Sequence, residues 1–350
     1  KRSAWTSSPS KRGTMNKLIN KPENTVSEML DGYISIYPDM FEKIPDHSGR
    51  YLGLVLKERK DKVSVVVGGG SGNEPWIIGY VGPGLADGAA LGHVYTAPAA
   101  ASVLAVSRCV PNAKGVVYVA TNHAGDVLNF ELVRELAGME GIDAKCVFVC
   151  DDVTTAPKEK RDERRGIAGI ALAVKIAGAA SESGAPIDEV YRIAEKAVRN
   201  LSTCSLTTSP GYMPSTGKAM CDLPDGEVAY GMGFNGESPV LQTPLPTADE
   251  GARTLMSYFT GEIEAGDEIA VMINGFGFTS RLELCIAGRA IKRLLDESGM
   301  RVYDMFIDEL FCPQGTGGFS VSILKLDDEL KALYAKPAYS PFYKAFARSR

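Results

Sequence analysis

Apolar runs that stop abruptly at glycine, asparagine or aspartate recur along this chain. Residues 63–67, Val-Ser-Val-Val-Val, meet Gly68-Gly69-Gly70-Ser71-Gly72-Asn73-Glu74-Pro75. Residues 115–120 run into Thr121-Asn122-His123-Ala124-Gly125-Asp126, and residues 145–150 into Asp151-Asp152. Each run has the length and β-branched content of a strand, and a helical stretch follows the second and third of them. Strands alternating with helices, all ending on one polar edge, predict an α/β domain with its ligand at the carboxyl ends of the strands. The first glycine run is expected to be a loop in which positive φ lets backbone N–H groups approach an anionic or hydroxyl-rich ligand. It fits neither the dinucleotide fingerprint nor the P-loop, so by itself it marks a ligand edge or a plain tight turn.

The remaining elements follow from the same periodicities. Val26, Met29, Leu30 and Tyr33 make a helical stripe over residues 23–36. Residues 83–92, rich in Gly and Ala, predict a close-packed turn beside the ligand. Helices are expected over 127–139, 166–183 and 186–201, with a charged, solvated connector over 158–165. Residues 202–224 shift to Ser, Thr, Pro and Gly and predict a crossing between domains. Beyond it, strands are expected at 227–230, 268–273, 301–307 and 319–326, with a helix over 280–298. The domains expected are therefore 15–201 and 202–350, both α/β. Residues 1–14, basic and Ser-rich before Met15, are set aside as an upstream extension or expression remnant. Residues 337–350 are expected to pack over the surface.

Composition narrows the function. A chain of 350 residues, 45% of them hydrophobic, can bury a large core, and its formal net charge of -5 argues against nucleic acid as a partner. No run of eighteen apolar residues exists to cross a membrane. The seven cysteines are scattered without a C-x-x-C pair, the pattern of reduced thiols in a cytoplasmic protein. Three histidines without H-x-H or H-E-x-x-H spacing predict no transition-metal site.

Among the polar segments only Asp126, Glu74, Asp151, Asp152, Glu237 and His123 can move a proton. Asp126 opens a predicted helix, where it can cap the helix and also accept a proton from a substrate hydroxyl. Asp151-Asp152 fits a solvated turn, with Mg²⁺ binding as the alternative. His123 is an ordinary loop histidine or a neighbour of Asp126 in the same pocket.

Six motifs in order resemble the dihydroxyacetone kinase K subunit. They are Gly-Gly-Gly-Ser-Gly-x-Glu-Pro at 68–75, Asn122-x-x-Gly125-Asp126-x-Leu128-Asn129-Phe130-Glu131, and Asp151-Asp152 with Arg164-Arg165-Gly166. Lys175-Ile176-Ala177-Gly178-Ala179-Ala180, Gly318-Phe319-Ser320, and Leu324-Lys325-Leu326-Asp327-Asp328-Glu329 complete the set, and the segment 15–20 looks like that family's start. The resemblance implies a homodimer of two-domain α/β subunits that binds a short ketose or polyol and offers its hydroxyl for phosphorylation. ATP or ADP with Mg²⁺ would be carried by a nucleotide-binding L-type partner subunit, so this chain binds no cofactor of its own. Asp126 matches the proposed base. Gly69, Gly70, Ser71, Gly72, Asn73, Thr121, His123 and Asn235 would surround the substrate.

Two departures change what the resemblance implies. In the family a histidine stands at the place of Asn235 and forms a hemiaminal with the substrate carbonyl, and a second histidine matches Asn73. A lysine in some members matches Thr121, and a tyrosine matches His123. A carboxamide has no usable nucleophilic lone pair, so recognition here is expected to be non-covalent. Ketose and matching polyol are then expected to bind within about a hundredfold of each other. The alternative function is a non-catalytic, ligand-sensing regulatory paralogue.

Overall fold

The computed structural model describes residues 17–45 and 51–346. The expected extension and the start at Met15 lie outside these residues. Helix α1 (Thr25–Ile36) leads into strands β1 (Phe41–Lys43), β2 (Gly53–Leu56), β3 (Ser64–Ser71) and β4 (Gly88–Val94). Helix α2 (Ala100–Cys109), β5 (Val116–Thr121), α3 (Ala124–Met139) and β6 (Ala144–Val149) complete a six-stranded sheet of order β1-β2-β4-β3-β5-β6. Helices α4 (Ile170–Glu182) and α5 (Ile187–Arg199) follow. The second sheet comprises β7 (Leu201–Ser209), β8 (Glu227–Tyr230), β9 (Leu241–Pro244), then after α6 (Ala248–Ser257) β10 (Glu268–Gly275), and after α7 (Arg281–Glu297) β11 (Arg301–Asp308) and β12 (Gly317–Lys325). Its order is β11-β10-β12-β7-β8-β9. Helix α8 (Asp328–Tyr334) and a short ribbon pairing Ala338–Tyr339 with Lys344–Ala345 end the described chain.

The expected α/β architecture is present, with two sheets flanked by helices. In the first sheet β4, β3, β5 and β6 run parallel. From β3 the chain crosses to β4 on one side, whereas from β5 it crosses to β6 on the other. The carboxyl ends of β3 and β5 therefore flank a topological switch point, where α/β sheets open a crevice. Helix α4 is buried along nearly its whole length, and one core continues from Val67 and Val119 of the first sheet through α4 to Met272 and Leu324 of the second. The terminal segment turns back onto the first half, where Phe342 stacks on Tyr33 at 5.4 Å and Tyr339 N donates to Pro83 O at 2.9 Å.

Several local expectations are corrected. The glycine triple is not a loop: Gly68, Gly69 and Gly70 lie inside β3, in register with Ala90, Leu91 and Gly92 of β4. These glycines serve close approach, since a Cβ on Gly68 would stand 2.8 Å from Ala90 O and one on Gly70 2.7 Å from Thr96 N. Within that segment positive φ is confined to Gly72, at 108°. The Gly/Ala stretch 83–92 likewise contains most of β4 rather than being all turn. The segment 202–224 was expected to be a crossing, yet β7 begins at Leu201 and sits in mid-sheet between β12 and β8. Its hydroxyls are buried and paired: Thr203 Oγ1 donates to Ser322 Oγ at 2.8 Å and Ser205 Oγ to Met232 O at 2.9 Å. Helix α6 was not predicted, although Thr247 and Glu250 form a capping box that the spacing T-x-x-E announces.

The Lys-Ile-Ala-Gly-Ala-Ala motif acquires a packing explanation. A Cβ on Gly178 of α4 would stand 2.5 Å from both Gly84 O and Leu85 O. Alanine is favoured over glycine in a helix by about 1 kcal/mol. Here the clash with backbone outweighs that gain, because overpacking a rigid core costs about 1–3 kcal/mol. Gly178→Ala is therefore expected to lower stability, read as a lower denaturation midpoint. A raised midpoint would show that the Gly84–Leu85 turn yields freely.

Candidate functional site

A cavity of about 280 Å³ opens at the switch point. From the end of β3 it receives Gly70, Asn73 and Trp76; from the segment after β4, Tyr95, Thr96 and Ala97. Thr121, His123, Gly125 and Asp126 come from the end of β5 and the start of α3, and Gly166 from the segment before α4. The second half of the chain closes it with Phe234, Asn235 and Phe311. Six of the nine residues expected at the site thus line one cavity. Gly69, Ser71 and Gly72 do not: Gly69 backs onto the Trp76 indole, Ser71 Oγ donates to Gly92 O at 2.9 Å, and Gly72 N donates to Glu74 Oε1 at 2.9 Å.

Asp126 is the third residue of α3, and the N-cap is His123, so Asp126 is not the cap it was expected to be. Its Oδ2 accepts from Thr121 Oγ1 at 2.7 Å, while Oδ1 is buried without a partner. Burial pushes the carboxyl up to about 6, against the Thr121 hydrogen bond and the nearby His123, which pull it down. A desolvated carboxylate with one unpaired oxygen, on a residue that lines a cavity, has the chemistry to take a proton from a hydroxyl. The hydroxyl hydrogen of Thr121 is committed to Asp126, so this side chain orients the carboxylate and has no hydrogen left to donate elsewhere.

His123 Nε2 lies 3.0 Å from Gly166 O. A carbonyl can only accept, so Nε2 carries the hydrogen and in the neutral ring Nδ1 holds the lone pair. Gly166 is fixed in turn by Asp151, whose two carboxylate oxygens accept from Ile167 N at 2.7 Å and Gly169 N at 2.8 Å. Neither acid of the Asp151-Asp152 pair is solvated. Asp152 is fully buried and its Oδ2 meets Arg165 Nε at 2.7 Å. With their oxygens occupied by N–H donors, they are brackets for the site rather than a magnesium seat. The connector 158–165 is solvent-exposed at 158–160 and 162–163, as expected, but Arg161 and Arg164 turn inward to enclose the buried Glu262.

Asn73 and Asn235, 162 residues apart, meet in the cavity: Asn73 Nδ2 donates to Asn235 Oδ1 at 3.2 Å. Glu237 Oε2 accepts from Asn235 N at 3.0 Å, which places that acid as a loop brace. The halves are stitched beside this pair by Cys312 N to Asn73 O at 3.0 Å and Gln314 N to Gly72 O at 2.9 Å. Phe311 reaches the cavity because the buried Asn274 clamps its turn, accepting from Leu310 N and Phe311 N at 2.9 Å each. Sequence reasoning missed the aromatic wall. Tyr95 was signalled by its place after a glycine-rich strand, whereas Phe311 carries no local signal.

A second cavity, about 210 Å³, lies between α6, α7 and the sheet and is walled largely by residues such as Leu206, Val228, Ile286 and Phe319. Glu283 is its one titratable group and is committed to the capping box of α7. All seven cysteines are free, and no helix among the described residues is long and apolar enough to cross a membrane.

Comparison with known proteins gives a consistent result. The Dak1 domain matches residues 31–342. The dihydroxyacetone-binding subunit DhaK of the PTS-dependent dihydroxyacetone kinase 2 of Listeria innocua is 33% identical over 332 residues, covering 94% of this chain and 99% of that protein. The native dihydroxyacetone kinase of C. freundii superposes with a TM-score of 0.85 at 26% identity, over 95% of this chain and 61% of that one. The dihydroxyacetone kinase operon co-activator Dha-DhaQ superposes with a TM-score of 0.81 at 27% identity, over 89% of this chain and 96% of that one. The chain spans 56% and 57% of two longer relatives. With one domain family matching most of its length and near-complete coverage of a relative one-third identical, this chain belongs to the Dak1 domain family.

Proposed function

We propose that this chain is the substrate-binding subunit of a dihydroxyacetone-kinase-like phosphotransferase, acting as a homodimer that presents a hydroxyl of a short ketose or polyol to a nucleotide-bearing partner. The observation that carries this reading is the buried carboxylate of Asp126, one oxygen of which has no partner, in the wall of a cavity at the switch point. Asp126 takes the proton of the hydroxyl as that oxygen bonds to the transferred phosphorus, and the phosphorus–oxygen bond to the partner's nucleotide breaks, leaving the nucleoside diphosphate on the partner. Positioning and proton removal are the whole of this chain's contribution. Retention of the substrate is non-covalent, since the amides of Asn73 and Asn235 hold oxygens by hydrogen bonds and offer no nucleophile.

The cavity lining includes one carboxylate and neither lysine nor arginine. Among the described residues no cluster of three His, Cys, Asp or Glu side chains is placed to hold a metal ion. A polyphosphate with its Mg²⁺ would find one acid and no cationic side chain here, which supports assigning ATP or ADP, and the metal, to the partner. The test is to mix the chain with a nucleotide-binding subunit, Mg²⁺, a phosphate donor and a panel of three- to five-carbon ketoses and polyols. Phosphorylation of at least one is expected, and phosphorylation of none would remove the reading.

A sensing role is the second reading, and the likeness to an operon co-activator favours it. It predicts that a ligand binds this chain with no phosphorylation under those conditions, and that the chain associates with a regulator rather than with a nucleotide-bearing subunit.

A further inference from the structure

Each carboxamide carries one acceptor oxygen and one NH₂. The single bond joining Asn73 to Asn235 uses the NH₂ of one and the oxygen of the other. What the pair leaves wholly unengaged is therefore one oxygen and one NH₂, besides the second hydrogen of Asn73 Nδ2 and the second lone pair of Asn235 Oδ1. The free oxygen, Asn73 Oδ1, is buried without a partner, and Asn73 is only 4% exposed.

A ligand hydroxyl seated at the pair satisfies both groups, accepting from the NH₂ and donating to the oxygen. A ligand carbonyl can only accept, and it leaves the buried oxygen desolvated and unpaired. Asp126 Oδ1, also buried and unpaired, calls for a second hydroxyl on the same ligand. Both orphan oxygens are acceptors and the lining offers no lysine or arginine, so a carboxylate or phosphate would meet no cationic side chain here.

Resting on the reading of this cavity as the substrate site, we propose that Asn73 and Asn235 form a filter for alcohols. The group held between them is a hydroxyl-bearing carbon, and the preferred ligand is a polyol with at least two hydroxyls rather than the corresponding ketone. The expected preference follows from the penalty for burying an unpaired acceptor, which weakens binding between about fivefold and a hundredfold.

Calorimetric titration of the full chain with matched pairs tests this: glycerol against dihydroxyacetone, and erythritol and threitol against erythrulose. Each polyol is expected to bind at least about fivefold more tightly than its ketone. In Asn73→Ala the orphan oxygen is gone, and the gap should close to within about twofold to threefold, since Asn235 alone can turn either amide group to the ligand. Ketones binding as tightly as polyols, or more tightly, would overturn the filter; if the ketones are then phosphorylated with the partner present, the substrate-binding reading survives without it. Binding of neither class would overturn both. Should Asn73→Ala fail to fold, the pairwise titration of the unaltered chain still decides.

Discussion

Asp126→Asn is expected to lower phosphoryl transfer to the bound substrate by at least about a hundredfold while changing substrate affinity only a few-fold. Asparagine keeps the shape and can still accept from Thr121 Oγ1, the bond that positions residue 126. It cannot take a proton. Because burial holds the Asp126 carboxyl at about 6, the wild-type rate should rise with pH up to about that value and level off above it. The variant's residual rate should lack this step. Stability supplies an independent check with a definite sign. A carboxyl raised on folding penalises the charged native state, so the wild type loses stability as pH climbs from about 4, the unfolded value, to about 6. The variant lacks that titration and should be the more stable protein at neutral pH. Equal rates for the two proteins would remove Asp126 as the base; a rate loss accompanied by lower stability would point to structural damage instead.

Glu262→Gln is expected to cost about 3–5 kcal/mol of stability, the usual result of breaking a buried ion pair from one side. Glu262 is 5% exposed and Arg164 1%. Arg164 NH2 lies 2.7 Å from Glu262 Oε1, and Arg161 NH2 lies 2.6 Å from Oε2. Ser202 Oγ of β7 adds a third donor at 3.0 Å. Burial alone would raise this carboxyl, yet Arg164 and Arg161 hold it below the usual range. Its stabilising contribution is therefore present above the unfolded value of about 4.3 and lost as pH falls below it. The glutamine variant should show a flatter acid limb. The change also reaches the site, since Asn122 Nδ2, next to His123, donates to Arg164 O at 2.7 Å. Denaturant titration of both proteins from neutral to acid pH measures this. A loss under about 1 kcal/mol would mean the pair is screened like a surface bridge.

Much of this was legible in the residues, for identifiable reasons. β-branched runs closed by glycine, asparagine or aspartate marked β3, β5 and β6, and 3.6-residue periodicity marked α1 and α3. Both signals act over a few neighbours, so no tertiary information was needed. The placement of Asp126 beside a strand end was likewise local. The failures share one cause. Ser202, Thr203 and Ser205 looked like linker composition because hydroxyls favour turns when nothing pairs them. In the sheet their partners come from β12, the β8 loop and Glu262. Asp151 and Asp152 looked solvated because acids ordinarily are, until Ile167 N, Gly169 N and Arg165 arrive to pair them.

By itself the amino-acid sequence determined the α/β class, the polar edge where β3 and β5 end, and membership of a family recognised by ordered motifs. These rest on short-range propensity and on residue identity. Tertiary structure alone decided that the glycines of β3 serve close packing, and that α4 is buried along nearly its whole length between the first sheet and helices α5 and α8. It also decided that Asn73 and Asn235, both in the cavity wall, share a single hydrogen bond and leave one buried oxygen without a partner. That last fact depends on two loops from different halves meeting within 3.2 Å. No local propensity encodes such a meeting, because the free energy that selects it comes from burying the core common to both halves.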